Sequence, residues 1–260
     1  MYTTLKLTTT NDIATITLDR AEKRNAISTA MIEKLLAALD AVEKSPARIA
    51  VITGNGNAFC SGMDLELLAA IAQQSPEQNL ADSRRMAGMF RRIWSFPKIL
   101  IAAVNGAAIA GGTGIATMCD FTLAVPEAKF GYTEVKIGFL PAIVSVFLTR
   151  QIGEKQARDL LLTGRIFDAA EAKALGLVNE VVPADQLSAR TQRLAETLLA
   201  ASPTSLTRTK KLLVAAAAAQ VDAELERAIA ENARIRATAD FREGLASFLE
   251  KRKPVWRGEE

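Results

Sequence analysis

Ile99–Asp120 reads ILIAAVNGAAIAGGTGIATMCD, and the chain on either side is organised around it. The apolar, β-branched run Ile99–Val104, bounded by Asn105-Gly106, predicts a buried strand ending in a turn. Small residues lead to Gly111-Gly112, after which Thr113 opens an apolar segment that reads as a short helix. Glycines at a helix start expose backbone N–H groups that have no intrahelical partner, and the helix dipole adds positive potential there. Such a spot stabilises an anion: a bound phosphate, or an oxygen that becomes negative during a reaction. A Gly-Gly pair alone is more often a close-packed core turn. A second copy upstream and a lone acid downstream, Glu134, give it more weight.

The upstream copy begins with Ile49–Thr53, a short buried strand, followed by the loop Gly54-Asn55-Gly56-Asn57. Ala58-Phe59-Cys60-Ser61-Gly62-Met63-Asp64-Leu65 then leads into a helix near 65–72. Strand, Gly-bearing loop and helix thus occur twice, with Gly62 and Gly111 49 residues apart, the pattern of a repeated β-β-α unit. Neither Gly54-x-Gly56 nor Gly112-x-Gly114 completes a dinucleotide fingerprint, because Phe59 and Thr117 stand where a third glycine is needed.

Before this core, residues 4–9 and 12–18 alternate as a strand pair turning at Asn11-Asp12. A charged loop, 19–26, precedes Ser28, which can cap a helix from Thr29 to about Lys44, and Pro46 stops that helix. Residues 73–82 are polar and read as a loop, followed by a helix from about Asp82 to Ser95 with Met86, Met89, Phe90 and Ile93 on one face. Methionines there usually mean core, and they also suit an apolar pocket. Strands are expected at 121–125, 129–131 and 177–182, and helices at 142–151, 154–162 and 169–175. After 185 the pattern is nearly all helical: 185–201, 203–236 and 240–252. The change near 185 divides the chain into residues 1–184, carrying the site, and 185–260.

Composition bounds the chemistry. The 260 residues are 49% hydrophobic, enough for a sizeable core. No apolar run is long enough to cross a membrane, and the N-terminal stretch lacks a basic segment followed by an apolar one, so a cytoplasmic location is the expectation. The two cysteines, Cys60 and Cys119, suit reduced thiols rather than a disulfide framework. A net charge of +3 tolerates an anionic ligand without demanding nucleic acid. The chain has no histidine, so Ser-His-Asp and Cys-His nucleophilic sites and the common histidine metal sites are excluded. Acid–base work falls to a carboxylate, Lys, Tyr or Cys.

Taken in order, the pieces resemble the crotonase family, the enoyl-CoA hydratase/isomerase superfamily, over nearly the whole chain. The resemblance rests on Arg24-Asn25-Ala26, on the Ala58–Leu65 run, and on Asn105-Gly106 with Ala110-Gly111-Gly112. It continues through Cys119-Asp120, Phe130-Gly131 with Glu134 and Gly138, Ala172 with Leu175-Gly176-Leu177-Val178, and Phe248-Leu249-Glu250-Lys251-Arg252. It implies an α/β fold, a spiral of repeated ββα units followed by a C-terminal helical trimerisation region. It also implies an acyl-CoA substrate, no separate cofactor since coenzyme A is part of that substrate, no metal, and a homo-oligomer, trimer or dimer of trimers. The stripe Leu194, Leu198, Leu212, Leu213, Leu225 and Ile229 is the apolar surface expected at that interface.

By position, the resemblance assigns the backbone N–H groups of Met63 and Gly111 to the thioester carbonyl, the function reached above for Gly111 on physical grounds. It places Lys23, Arg24 and Ala26, the segment Ser61–Glu66 (Ser61, Asp64, Leu65 and Glu66), Phe248 and Lys251 against coenzyme A. The acyl pocket falls to 67–90 and 139–147, Ala142 among them, which are merely apolar and specify no chain length. Hydratases of the family commonly set two carboxylates about a water; the later matches Glu134 and the earlier falls at Gly114. A glycine does no acid–base chemistry, which favours an isomerase moving a double bond from the 3- to the 2-position with Glu134 as sole proton shuttle. The Gly-Gly-x-Gly run with the stretch 133–142, TEVKIGFLPA, also looks like members assigned as hydratases of branched or glutaconyl-type substrates. The leading expectation is therefore hydration of a 2-enoyl-CoA; the alternatives are the isomerase and a catalytically silent acyl-CoA-binding protein.

Overall fold

A computed structural model describes residues 4–258; Met1–Thr3, part of the stretch read for a targeting signal, and residues 259–260 lie outside it. Ile99–Val104 is a strand with every residue buried, as its continuous apolar run requires of a central strand. The elements in chain order are β1 (Leu5–Thr10), β2 (Ile13–Leu18), α1 (Thr29–Lys44), β3 (Ile49–Gly54), β4 (Ala58–Cys60), α2 (Leu65–Ile71) and α3 (Pro76–Trp94). Next come β5 (Ile99–Val104), β6 (Ala107–Ile109), α4 (Gly111–Thr117), β7 (Phe121–Ala124), β8 (Lys129–Gly131) and α5 (Ala142–Thr163). The chain finishes with β9 (Ile166–Asp168), α6 (Ala169–Ala174), β10 (Glu180–Val181), α7 (Leu187–Leu199), α8 (Pro203–Arg234) and α9 (Ala239–Leu249).

The strands form two sheets, ordered β1-β2-β3-β5-β7-β10 and β4-β6-β8-β9. From β2 onward the larger sheet is parallel, and β4, β6 and β8 are parallel in the smaller one. Each turn of chain therefore contributes one strand to each sheet and then a helical segment: β3-β4-α2, β5-β6-α4, and β7-β8 followed by the 3-10 turn Glu134–Ile137. This is the spiral of ββα units, and it makes a third turn where the glycine pattern shows two. The third turn is harder to recognise because Thr133-Glu134 stands where the others carry glycine.

Local chemistry accounts for most boundaries. Asn11 and Asp12 sit at φ 50° and 63°, the left-handed pair that a two-residue hairpin needs. The Ser28 hydroxyl accepts from Met31 N–H and starts α1. Gly153, at φ 76° and ψ 162°, kinks α5 between the two helices expected there. Helix α3 begins at Pro76, not Asp82. Ser75 accepts from Gln78 N–H while the Gln78 side chain accepts from Ser75 N–H, a capping box with proline in the first turn. Polar residues that read as a loop are thus the solvated first turns of a helix. The strands β4, β6 and β9 span three residues each and show no periodicity of their own; neighbouring strands define them.

One cluster of buried side chains runs through both sheets and α1, α3, α4 and α5. Leu187 and Ala195 of α7 and Val221, Leu225 and Ile229 of α8 belong to it, so the C-terminal helices share the core of the spiral. Most of the stripe expected at an oligomer interface is used inside the chain: Leu225 and Ile229 are buried, and Leu194 and Leu198 pack against the core. Leu212 and Leu213 remain exposed, at 73% and 71%. A second, smaller cluster, Leu68, Ile71, Phe139, Phe241 and Leu245, joins α2 to α9. Among the described residues no helix is long and apolar enough to cross a membrane.

Candidate active site

Strands β4, β6 and β8 lie side by side and parallel, so the chain leaves all three at one edge. Met63, Gly111 and Glu134 each follow the end of one of these strands within three residues. The C-terminal edge of a parallel sheet is where α/β proteins commonly bind ligands. All three residues line a single cavity of about 460 Å³, closed on its other sides mainly by apolar groups of α3 and α5.

The two backbone donors are set up differently. Ile27 N–H donates to Gly62 O at 2.8 Å and Asp64 N–H to Ile27 O at 2.9 Å. These bonds fall on either side of Met63, whose own N–H takes no part in that pairing. Gly62, at φ 90°, makes the turn that a side chain would strain. Gly111 is the first residue of α4, so its N–H has no intrahelical partner, and Ala110 before it offers no capping side chain. Ala110 is held at φ 50°, costly for a residue with a Cβ, and its N–H is anchored on Gly131 O at 2.7 Å. The second glycine serves packing: a Cβ on Gly112 would drive into the Cys60 carbonyl oxygen, so glycine lets α4 start directly against β4.

Glu134 opens the 3-10 turn after β8. The residue as a whole is half-buried, but its Oε2 is fully shielded and takes no hydrogen bond. It forms no ion pair with Lys136 or Lys129, the surface alternative for such an acid. Burial raises its pKa from an ordinary 4.5 to about 7, against a weaker pull from its own backbone N–H. That value suits a group that must both take and give a proton near neutrality. Lys136 also lines the cavity, whereas the two thiols and the buried phenol are poorly placed for acid–base work. Burial pushes the Cys60 thiol up to about 12 and raises Cys119 and Tyr132 as well, and none of the three lines the cavity.

The raised pKa has a stability consequence. Below about pH 4 the carboxyl is protonated in both the folded and the unfolded chain and costs nothing. Between 4.5 and 7 the unfolded chain gives up the proton first, and above 7 the folded protein carries the whole cost of a buried charge. Glu134→Gln is therefore expected to melt a few degrees higher than the parent at pH 8 and at the same temperature at pH 4. Thermal unfolding at the two pH values measures it; an unchanged or lower melting point at pH 8 would mean that the carboxylate is well solvated.

Gly114, where a second acid would stand, does not line the cavity. Its missing side chain points at Phe90 and Val144: a Cβ would meet Phe90 Cε1 at 2.9 Å and Val144 Cγ1 at 3.0 Å. Phe90 and Val144 do line the cavity, so an apolar wall occupies that place. Gly114 is thus a packing position, and a glutamate introduced there would meet protein before it met substrate.

Of the residues expected at coenzyme A, Ser61, Leu65 and Phe248 line the cavity, the last two 47% and 51% exposed, and Ala142 lines it from the first turn of α5. Lys23, Arg24, Ala26, Asp64, Glu66 and Lys251 lie outside its lining. Lys23 and Glu66 make an exposed ion pair at 3.1 Å that joins the 19–26 loop to α2. Asp64 is buried and committed to the fold: Oδ2 accepts from Arg20 Nη2 at 2.8 Å and Oδ1 caps α2 through Glu66 N–H. Burial opposes its charge, but Arg20 and that N–H outweigh it and hold the carboxyl below the usual range. Its side chain is a strut for the Ser61–Glu66 segment, not a free ligand. Lys251 is exposed at φ 54°, just past the end of α9. No sequence motif singles out Arg20, which also donates to Ala26 O at 2.8 Å, or Arg236, which lines the cavity.

The enoyl-CoA hydratase/isomerase family model matches residues 8–259. A Thermus thermophilus protein named "Putative enoyl-CoA hydratase" is 45% identical over 243 residues, 93% of this chain and 96% of that protein. A "Probable enoyl-CoA hydratase" of Rhizobium meliloti is 36% identical over 98% of each chain. The crystal structure of an enoyl-CoA hydratase/isomerase from Xanthobacter autotrophicus Py2 matches with a TM-score of 0.89 at 31% identity, covering 96% of this chain and 97% of the other.

Proposed function

The chain belongs to the enoyl-CoA hydratase/isomerase family, and from that premise we propose that it adds water across the double bond of a 2-enoyl-CoA with Glu134 as its sole acid–base group. The observation that carries this reading is Glu134 itself: a half-buried carboxyl without an ion partner, its pKa near 7, on the same sheet edge as the Met63 and Gly111 N–H groups.

In the proposed reaction the thioester oxygen lies between those two N–H groups. Water oxygen bonds to C3, the C2=C3 electron pair moves toward the carbonyl, and the thioester oxygen becomes an enolate oxyanion. Donors already aimed at that oxygen are worth about 3–4 kcal/mol each, because no reorganisation is needed as the charge develops. The Glu134 carboxylate takes the proton that the attacking water loses and returns it to C2 as the enolate collapses. Proton and charge balance over the cycle, and the carboxylate is regenerated. The Met63 side chain plays no part in the chemistry and shapes the pocket.

The Phe90–Val144 wall favours a second reading, isomerisation, since it leaves no second acid to share the work with Glu134. There Glu134 would remove a proton from C2 of a 3-enoyl-CoA and deliver it to C4. Incubating the protein with 2-enoyl and 3-enoyl thioesters separates the readings. Hydration gives a 3-hydroxyacyl product from the first. Conversion of the second to a 2-enoyl thioester with no hydroxylated product makes it an isomerase, and binding without turnover marks a silent acyl-CoA binder.

Coenzyme A would lie over the loop with Lys23, Arg24 and Ala26, along Ser61–Glu66 and beside Phe248, with Lys251 toward its phosphates. A homo-oligomer, trimer or dimer of trimers, is part of the proposal, with the exposed Leu212 and Leu213 half of α8 at the contact. Light scattering at micromolar concentration is expected to show a mass several times that of one chain; a monomer would reject it.

A further inference from the structure

The cavity does not end in hydrocarbon. Arg236 and Asn232 are among its lining residues, yet they are only 2% and 4% exposed. Arg236 follows α8 in the 3-10 turn Ile235–Ala237 and reaches across to α3. Its Nη1 donates to Asp82 Oδ2 at 2.9 Å, its Nη2 donates to Asn232 Oδ1 at 2.9 Å, and its guanidinium carbon sits 5.6 Å from the centre of the Phe139 ring. Asn232 Oδ1 also accepts from Ser83 Oγ at 2.8 Å, so the acceptors around this guanidinium are shared.

Two features do not fit a plain ion pair bolting α8 to α3. The Arg236 Nε–H is fully buried and has no partner. Buried donors are normally satisfied, and an orphan on a charged group is costly. In addition, Asp82 is approached by a second guanidinium, Arg85 Nη1 at 3.5 Å, so one carboxylate faces two cations. Arg236 thus shares its carboxylate and keeps one donor in reserve beside a cavity otherwise lined mainly by apolar groups.

We propose that this cluster is a subsite for the far end of the acyl chain, and that the substrate carries a terminal carboxylate there, received by Arg236. The inference rests on the reading of the cavity as the acyl-CoA site. A terminal carboxylate would satisfy the Arg236 Nε–H, whereas a methyl end would leave it unpaired.

Saturated acyl-CoA thioesters test this without turnover. Calorimetric titration compares methyl-ended thioesters with their ω-carboxylate counterparts over a range of chain lengths. At the length that fits, the carboxylate is expected to bind about tenfold tighter or more, the gain of one charge-assisted hydrogen bond in a dry site. The paired variant Arg236→Met with Asp82→Asn, which strands no buried charge, is expected to bring the two series within about twofold of each other. Methyl-ended thioesters binding as tightly or more tightly at every length would overturn the proposal and leave Arg236 a structural bolt; this parent comparison stands even if the variant fails to fold. If neither series binds, the acyl-CoA reading itself falls and the subsite falls with it.

Discussion

Glu134→Gln is expected to lower turnover of the preferred enoyl thioester by about 10²–10⁴-fold, the usual contribution of a positioned acid–base group. The substitution keeps the size and polarity of the side chain and removes its basicity. It touches neither proposed backbone donor, since the N–H groups of Met63 and Gly111 belong to the main chain of separate loops. Affinity for a saturated acyl-CoA should therefore change by no more than a few-fold, so the loss falls on kcat. The parent enzyme should also show an ionisation near pH 7 in its rate profile that is missing from the residual activity of the variant. A variant with parental kcat would remove Glu134 from the chemistry.

Gly112→Ala is expected to have the second largest effect, without altering any group that acts on the substrate. A methyl group at this position overlaps the Cys60 carbonyl oxygen, and strand backbone has no rotamer through which to yield. The first turn of α4 must move away from β4 and carry Gly111 N–H with it. A displacement of about 1 Å in a positioning group can cost about a hundredfold in rate. Overpacking a tight contact also destabilises by about 1–3 kcal/mol. The variant should thus melt several degrees lower and show a kcat reduced by about a hundredfold, with acyl-CoA still bound. Gly111→Ala is the control: its Cβ would press on the tip of the Ile27 side chain, at 2.9 Å, which can turn aside, and would meet Phe90 Cζ at an ordinary 3.6 Å. Equal losses from the two substitutions would contradict the close-approach argument.

Much of this site is legible in the sequence because its parts recur at the same point of a repeated unit. Gly62-Met63 and Ala110-Gly111 mark two turns of the spiral, and Glu134 follows β8 in the third. The strand runs Ile49–Thr53 and Ile99–Val104 and the Ser28 cap carry their own signals. Three-residue strands do not, since Ala107–Ile109 becomes a strand only through its neighbours β4 and β8. The start of α3 was readable from Ser75-Pro76 and Gln78, a local capping signal that outweighs the polarity of the segment. What no local pattern announces is placement across the fold. Asp64 looks like a ligand and is bound by Arg20, Gly114 looks like a vacated acid position and is walled off, and Arg236 carries no signal in the sequence and lines the cavity.

In the proposed mechanism Glu134 moves a proton at C2 of a thioester whose oxygen is held by the Met63 and Gly111 N–H groups. Solvent exchange at that carbon measures it most directly. The protein is incubated in D₂O with the enoyl thioester it turns over, and deuterium at C2 is followed by mass spectrometry. The parent enzyme is expected to incorporate deuterium at C2, and Glu134→Gln to do so about a hundredfold more slowly at equal occupancy of the site. Equal rates of incorporation in the two proteins would contradict the account.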